Sequence, residues 1–213
     1  MRKALKYKTQ RYFRFVEFLF NYIFFEMPKG LDFSLRCKSI GITHTGNHGY
    51  ALTSKKALKN ILLNIPYSGK TFLDIGSGKG GVICFAYELG CIKSEGLECE
   101  NFLHNIAKKN IQILNYKSSV ISTNIDARLF NRYSEYDIYF MFNPFDDNIY
   151  AQVIDAIVKQ VLNAPCKTRE KYLICYGHAN LDAVYSSGVF TLQKDGMCPY
   201  RGNSYKIYKI SYI

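Results

Sequence analysis

The seven cysteines, at positions 37, 84, 91, 99, 166, 175 and 198, include no pair at CxxC spacing. Their number is odd and several sit inside apolar runs, which argues against a disulfide framework and against a zinc cluster. They read as small buried hydrophobes of a protein kept in a reducing cytoplasm. The four histidines form no HExxH. His44 and His48 are close in sequence, but Gly46 and Gly49 argue against a helix that would aim both at one metal, so no metal is expected. No apolar run is long and uninterrupted enough to span a bilayer. Tryptophan is absent, yet 18 Tyr and 15 Phe bring the aromatic share to 15%. Hydrophobic residues make up 48% and charged residues 21%, which excludes a disordered or low-complexity chain. At 213 residues the chain has the length of one ordinary domain and can bury a core without staples.

Charge is unbalanced. Lys plus Arg number 28 against 17 Asp plus Glu, a formal net charge of +11. Such an excess favours polyanionic partners: RNA, DNA or an anionic membrane surface. It is densest at the start, where residues 1–14 hold Arg2, Lys3, Lys6, Lys8, Arg11 and Arg14 and no acid. RYFRFVEFLFNYIFFEM follows or overlaps this run. Arg14, Glu17 and Asn21 fall at helical spacing within it, which predicts a narrow polar stripe on a mostly apolar helix. Glu17 interrupts it and no small-residue cleavage site follows, so it reads as neither a span nor a secretory signal. It is expected to pack over the edge of the main domain; the functional alternatives are a surface helix that meets a membrane or a protein partner, and an RNA-contacting arm. Pro28-Lys29-Gly30 ends it. The chain divides accordingly into an N-terminal helical extension and loop, 1–47, and a main domain, 48–213. The expected location is cytoplasmic, with a peripheral position at a membrane as the alternative.

Residues 41–50, GITHTGNHGY, read as a loop. Thr53 or Ser54 then caps a helix whose Leu58, Ile61, Leu62 and Ile65 share one face. From residue 70 strands and helices alternate. Strands are predicted at 70–75, 93–98, 118–124, 136–142 and 171–176. Helices follow the glycines after residue 75, span NFLHNIAKKNIQIL with Phe102, Ile106 and Ile113 inward, cover 147–162, and recur briefly at 180–186. VFTLQK and SYKIYKISYI, parted by DGMCPYRGN, close the chain as an antiparallel hairpin. Repeated strand–helix units imply a parallel sheet with helices on both faces. The fold class is therefore α/β: a three-layer, Rossmann-like sheet of seven mostly parallel strands.

The sharpest motif is Asp74-Ile75-Gly76-Ser77-Gly78-Lys79-Gly80-Gly81, between a predicted strand and a predicted helix. Glycines allow a tight turn and close approach to a ligand. Glu98 ends the second strand, where a carboxylate can accept from both hydroxyls of a ribose. Gly76, Gly78 and Gly81 satisfy GxGxxG, so an NAD-dependent oxidoreductase is one reading. A dinucleotide, however, needs a second mononucleotide half and usually a separate substrate domain, and this chain leaves little room for either. The third strand leads into Asn124-Ile125-Asp126-Ala127, and the fourth ends in Asn143-Pro144-Phe145.

DIGSGKG, GLE, NIDA and FNPF, in that order and at strand ends, resemble the class I S-adenosylmethionine-dependent methyltransferases over about residues 48–213. The resemblance implies S-adenosylmethionine as cofactor and a seven-stranded sheet whose last strand is antiparallel. It implies that Gly76 and Gly78 line the methionine part of the cofactor with Asp74 orienting it, that Glu98 binds the ribose hydroxyls, that Asp126 takes the adenine, and that Ser77 and Asn143 also belong to the cofactor-binding set. Tyr50 and Thr53 precede the first strand, where many members place a loop that closes over the cofactor. Small bacterial members of open specificity are the most similar.

Methyl transfer is an in-line displacement in which the protein's task is positioning. The family's amino-methylating branch carries Asn/Asp-Pro-Pro-aromatic where this chain has Asn143-Pro144-Phe145-Asp146, one proline short. In that branch the amide oxygen and a proline carbonyl hold the target amine, and the ring stacks on a planar base. Asn143, Pro144 and Phe145 are thus the candidate catalytic residues, and a nitrogen of a protein (lysine-like) or of RNA is the candidate acceptor. Asp146 and Asp147 could hold a cationic substrate, or cap the next helix. A non-catalytic cofactor-binding or assembly subunit is the other alternative.

Overall fold

A computed structural model describes residues 16, 19–35, 46–165, 169–177, 181–199 and 202–211. The basic run 1–14, Glu17 of the polar stripe, His44, Cys37 and Cys166 lie outside them. Seven strands form one sheet: β1 (Thr71–Ile75), β2 (Lys93–Glu98), β3 (Val120–Asn124), β4 (Ile138–Phe142), β5 (Tyr172–Tyr176), β6 (Phe190–Met197) and β7 (Ser204–Ile210). Their order is β3-β2-β1-β4-β5-β7-β6. β1 to β5 pair in parallel, while β7 runs antiparallel to both β5 and β6. The sheet and its closing hairpin are those expected, although β6 continues through Asp195-Gly196-Met197, which the sequence reading gives to the connection.

Alternation along the central strands explains the two main core layers. Phe72, Phe140 and Ile174 meet α1 (Lys55–Leu62) and α2 (Gly81–Glu88) on one face. Leu73, Tyr139, Met141 and Leu173 meet α4 (Asp147–Leu162) and α5 (Asp182–Ser186) on the other. α1 starts where the Ser54 hydroxyl accepts from the Ala57 amide, and it buries Ala57, Leu58, Ile61 and Leu62. α4 starts where Asp146 accepts from the Ile149 amide at 3.0 Å. Asp146 is therefore a helix cap.

α3 (Asn101–Leu114) corrects the sequence reading. Its inner face is Leu103, His104, Ala107 and Asn110, while Phe102 is 45% exposed and Ile113 37%. Close packing sets that face. A Cβ on Gly80 would stand 3.0 Å from that of Ala107, so nothing larger than alanine fits there. Asn110 donates to the Asp32 and Lys79 carbonyls, both at 3.0 Å, and accepts from the Asp32 amide.

Those bonds tie in the N-terminal segment. A π turn over Tyr22–Glu26 and a 3-10 turn over Met27–Lys29 stop at Gly30, whose φ is +71°. Leu31 and Phe33 are then buried against Ile83, Cys84 and Val120. The Glu26 carboxylate accepts from the Phe33 and Ser34 amides, both at 2.9 Å. Lys79, fully buried, donates to Asp32 at 2.7 Å and to the Leu35 carbonyl at 2.6 Å. Among the described residues no helix is long and apolar enough to cross a membrane.

Candidate active site

The strand order reverses between β1 and β4, and at that switch point the carboxyl ends of parallel strands leave a crevice. A cavity of about 270 Å³ opens there. Its floor is the glycine loop after β1. Gly76, Gly78 and Gly80 have φ of +81°, +54° and +79°, values that glycine alone adopts without cost. The Gly76 and Ser77 amides both donate to the Leu97 carbonyl at 2.9 Å. The Gly78 amide donates to Glu98 Oε2 at 2.7 Å, and Glu98 Oε1 accepts from the Glu100 amide at 2.8 Å. Glu98 thus stitches the loop to the end of β2.

A second wall comes from the loop before α1. Asn47 bridges Phe145 in antiparallel fashion. The His48 amide donates to the Pro144 carbonyl at 2.9 Å, and the Asp146 amide to that of Gly46 at 2.8 Å. His48 Nδ1 lies 2.9 Å from the Asn143 carbonyl. The loop after β4 is therefore clamped to the loop before α1. It also presses on the floor: a Cβ on Gly76 would lie 2.5 Å from Pro144 Cβ, and one on Gly78 2.3 Å from the Tyr50 ring. Tyr50 is fixed by its hydroxyl, which donates to the Phe33 carbonyl at 2.6 Å.

Tyr50, Thr53, Asp74, Gly76, Ser77, Gly78, Glu98, Asp126, Asn143, Pro144 and Phe145 all border this one cavity. The Thr53 and Ser77 hydroxyls are buried and have no hydrogen-bond partner among the described residues. Asp126 caps a short 3-10 turn, accepting from the Arg128 amide at 2.9 Å, and pairs with the Arg128 guanidinium at 2.5 Å. Asn143 stands at φ +41°, in the left-handed region that asparagine tolerates. Two of the candidate catalytic groups are placed otherwise than the amino-methylating pattern implies. The Pro144 carbonyl already accepts the His48 amide. Phe145 is 7% exposed, packed with Ile149 and edge-on to Tyr150 in the core. Phe142, half-buried against Tyr176 with ring centroids 4.6 Å apart, is the other ring on the wall.

Asn47, Cys99, Glu100 and Arg128 are polar residues of the lining that were not singled out in the sequence. Asn47 donates to Cys99 Sγ at 3.0 Å and approaches Glu100 at 3.3 Å. No spacing pattern marks these residues. They are found through their neighbours in the GNHGY loop and after Glu98. Among the described residues no group of three or more His, Cys, Asp or Glu side chains could hold a metal.

Burial dominates the electrostatics. It pushes the Asp74 carboxyl well above its ordinary value, and the nearby Glu98 carboxylate pushes it further. Glu98 is raised for the same reason, less strongly because backbone amides hydrogen-bond its charged form. The Cys99 thiol is pushed up to about 11 by burial and by Glu98. Folded, both carboxyls hold protons at pH values where the unfolded chain has released them. Their contribution to stability is thus greatest below the ordinary carboxylate range, and it is lost as pH rises from there through the raised folded values. Asp74→Asn, which cannot ionise, is expected to flatten that decline in a series of melting temperatures across pH. An unchanged slope would place the titration elsewhere.

No family model and no curated protein sequence matches the chain. Solved structures do. An RNA methyltransferase from Salinibacter ruber, in complex with S-adenosyl-L-homocysteine, is 15% identical, with 75% of this chain and 94% of that one covered at a TM-score of 0.60. Magnesium protoporphyrin IX methyltransferase from Synechocystis PCC 6803, with bound S-adenosylmethionine, is 12% identical over 75% and 79% at 0.55. A SAM-dependent methyltransferase from Aquifex aeolicus is 14% identical over 73% and 89%, also at 0.55. Identities this low speak to architecture alone, and on architecture the strand order, the reversed β7 and these likenesses agree: the chain has the fold of the class I S-adenosylmethionine-dependent methyltransferases.

Proposed function

We propose that the chain is an S-adenosylmethionine-dependent methyltransferase that acts on a nitrogen of a protein (lysine-like) or RNA acceptor. The observation that carries this reading is how the glycine loop spends its amides. A dinucleotide pyrophosphate needs free N–H donors at such a loop. Here the amides of Gly76, Ser77, Gly78 and Gly80 all donate within the protein. Asp74, Glu98 and Glu100 line the same cavity and are buried. A loop of this kind leaves a pyrophosphate few amides to bind, and buried carboxyls that a neighbouring cation would help to ionise suit a ligand that carries positive charge.

S-Adenosylmethionine, with its sulfonium and ammonium, is such a ligand. The buried Thr53 and Ser77 hydroxyls lack partners among the described residues, and buried polar atoms of that kind point to a polar ligand. Glu98 Oε2 accepts the Gly78 amide, and Oε1 accepts the Glu100 amide and, at 3.9 Å, the Cys99 thiol. Of these bonds Oε2 accepts the Gly78 amide alone, which leaves that oxygen acceptor capacity for a ribose hydroxyl. When bound, the cofactor supplies a methyl group already activated by the adjacent sulfonium. Tyr50, clamped over Gly78, keeps water from the floor. Asn143 is the acceptor-binding group: among the described residues nothing hydrogen-bonds its side chain, and its amide oxygen can hold an amine N–H. The intact glycine loop, together with Asn143 on the cavity wall, speaks against a non-catalytic subunit. An RNA acceptor accords with the net charge of +11, and a lysine-like one with the acidic lining.

Glu98→Ala is expected to weaken S-adenosylmethionine binding by roughly 1.5–3 kcal/mol, the range for hydrogen bonds to a charged group, as read by titration calorimetry. An unchanged dissociation constant, or NADH binding by the unaltered protein, would defeat the assignment. Transfer of a labelled methyl group to fractionated cell protein and RNA then identifies the acceptor.

A further inference from the structure

We infer that the N-terminal helical segment over residues 19–27 docks on an anionic membrane surface and lies in its plane. The segment is turned inside out for a soluble protein. Its acid, Glu26, is buried and spends its carboxylate on the Phe33 and Ser34 amides. Its apolar side chains face outward instead: Leu19, Phe20, Ile23, Phe24, Phe25 and Met27 are all exposed, with Phe24 at 61% and Phe25 at 55%. The Phe20 ring lies 4.7 Å from that of Phe24 and 5.9 Å from that of Phe25, so the three rings form one contiguous patch. Patches of this kind on a protein surface mark docking sites.

Charge decides what docks there. Upstream of this segment, and separated from it by residues 15–18, a run over residues 1–14 holds six Lys and Arg and no acid, with Glu17 the single acid between the two. Bulky apolar side chains beside a polybasic run are the two signals whose sum holds a protein on an anionic bilayer: the rings enter the headgroup–acyl boundary and the cations meet the lipid phosphates. A second copy of this chain would bring the same positive run against itself. No described helix can cross the bilayer, so the contact is in-plane. The docking face is also tied to the cavity. Phe33, whose amide Glu26 holds, accepts the Tyr50 hydroxyl through its carbonyl, and Asp32 pairs with Lys79 of the glycine loop. The residues that follow the docking face are thus hydrogen-bonded to the cavity wall and to the glycine loop.

The test is vesicle flotation of the full chain. The protein is expected to float with phosphatidylglycerol vesicles and far less with phosphatidylcholine vesicles, and high salt should weaken the difference. The triple variant Phe20→Ser/Phe24→Ser/Phe25→Ser should lower partitioning by about tenfold or more, while its melting temperature and S-adenosylmethionine affinity match those of the parent. The single variant Phe24→Ser gives the same reading should the triple variant fail to fold. A parent protein that floats with neither vesicle overturns the proposal whatever the variants do. So does a variant that floats as well as the parent, and so does a dimer that the triple variant dissolves in the absence of any vesicle binding. None of these outcomes depends on the chain being a methyltransferase.

Discussion

Gly76→Val is expected to abolish S-adenosylmethionine binding while the sheet still folds. Two costs meet at this position. A φ of +81° is strained for any L side chain, and for a β-branched one by roughly 1–3 kcal/mol. In addition the new Cβ would lie 2.5 Å from Pro144 Cβ, closer than such atoms come. Pro144 cannot simply withdraw, because its carbonyl is held by the His48 amide and the next residues are paired with Gly46 and Asn47. Either the glycine loop retreats from the cavity floor, or the wall made by residues 46–48 and 143–146 comes apart. Both destroy the cavity, so calorimetry should detect no binding. Gly69→Val separates the two costs. Gly69 has φ +73°, but a Cβ there would meet nothing within 4 Å, so its variant carries the backbone penalty without the clash. It should lower the melting temperature and leave cofactor affinity as it was. Equal loss of binding in both variants would mean that general instability, not the cradle, accounts for the effect.

How far the sequence discloses this site follows from the range of the interactions. β1, the glycines after it and Glu98 at the end of β2 are local features: a short apolar run, residues able to take positive φ, and a fixed spacing along one chain segment. Those are legible without a fold. The clamp between His48 and Asn143 joins residues 95 positions apart and sets a ring nitrogen against a backbone carbonyl, a partner that leaves no trace in residue type. α3 fails for another reason. Counting apolar residues puts Phe102 and Ile113 inward, whereas the helix lies so close to Gly80 that Ala107 is required, and Asn110 is wanted for its amide rather than for its hydrophobicity. Lys79 sits in the middle of a motif that suggests a ligand contact. Its ammonium instead crosses to Asp32 and Leu35, because the N-terminal segment needs a buried cation to satisfy its carbonyl and carboxylate. A chain-order reading places Lys79 in the loop but cannot say to which side it turns.

Asn143 is expected to be the residue whose loss costs most turnover for least binding. Asn143→Ala should leave S-adenosylmethionine affinity within a few-fold and cut kcat by about 10²-fold or more, as misplacing an acceptor does. Its φ of +41° complicates that variant, since alanine in the left-handed region costs about 1–2 kcal/mol and could disturb the loop by strain alone. Asn143→Gly removes the strain together with the amide, and the backbone carbonyl beside His48 Nδ1 is kept. Asn143→Asp keeps both the tolerance for this backbone and an oxygen that can hold an amine N–H. If the side chain positions the acceptor, the Ala and Gly variants should be equally slow although the Gly variant is the more stable of the two, and the Asp variant should recover part of the lost rate. If instead the Gly variant turns over like the parent, Asn143 serves only to let the chain turn after β4, and the acceptor must be held by another group on that wall.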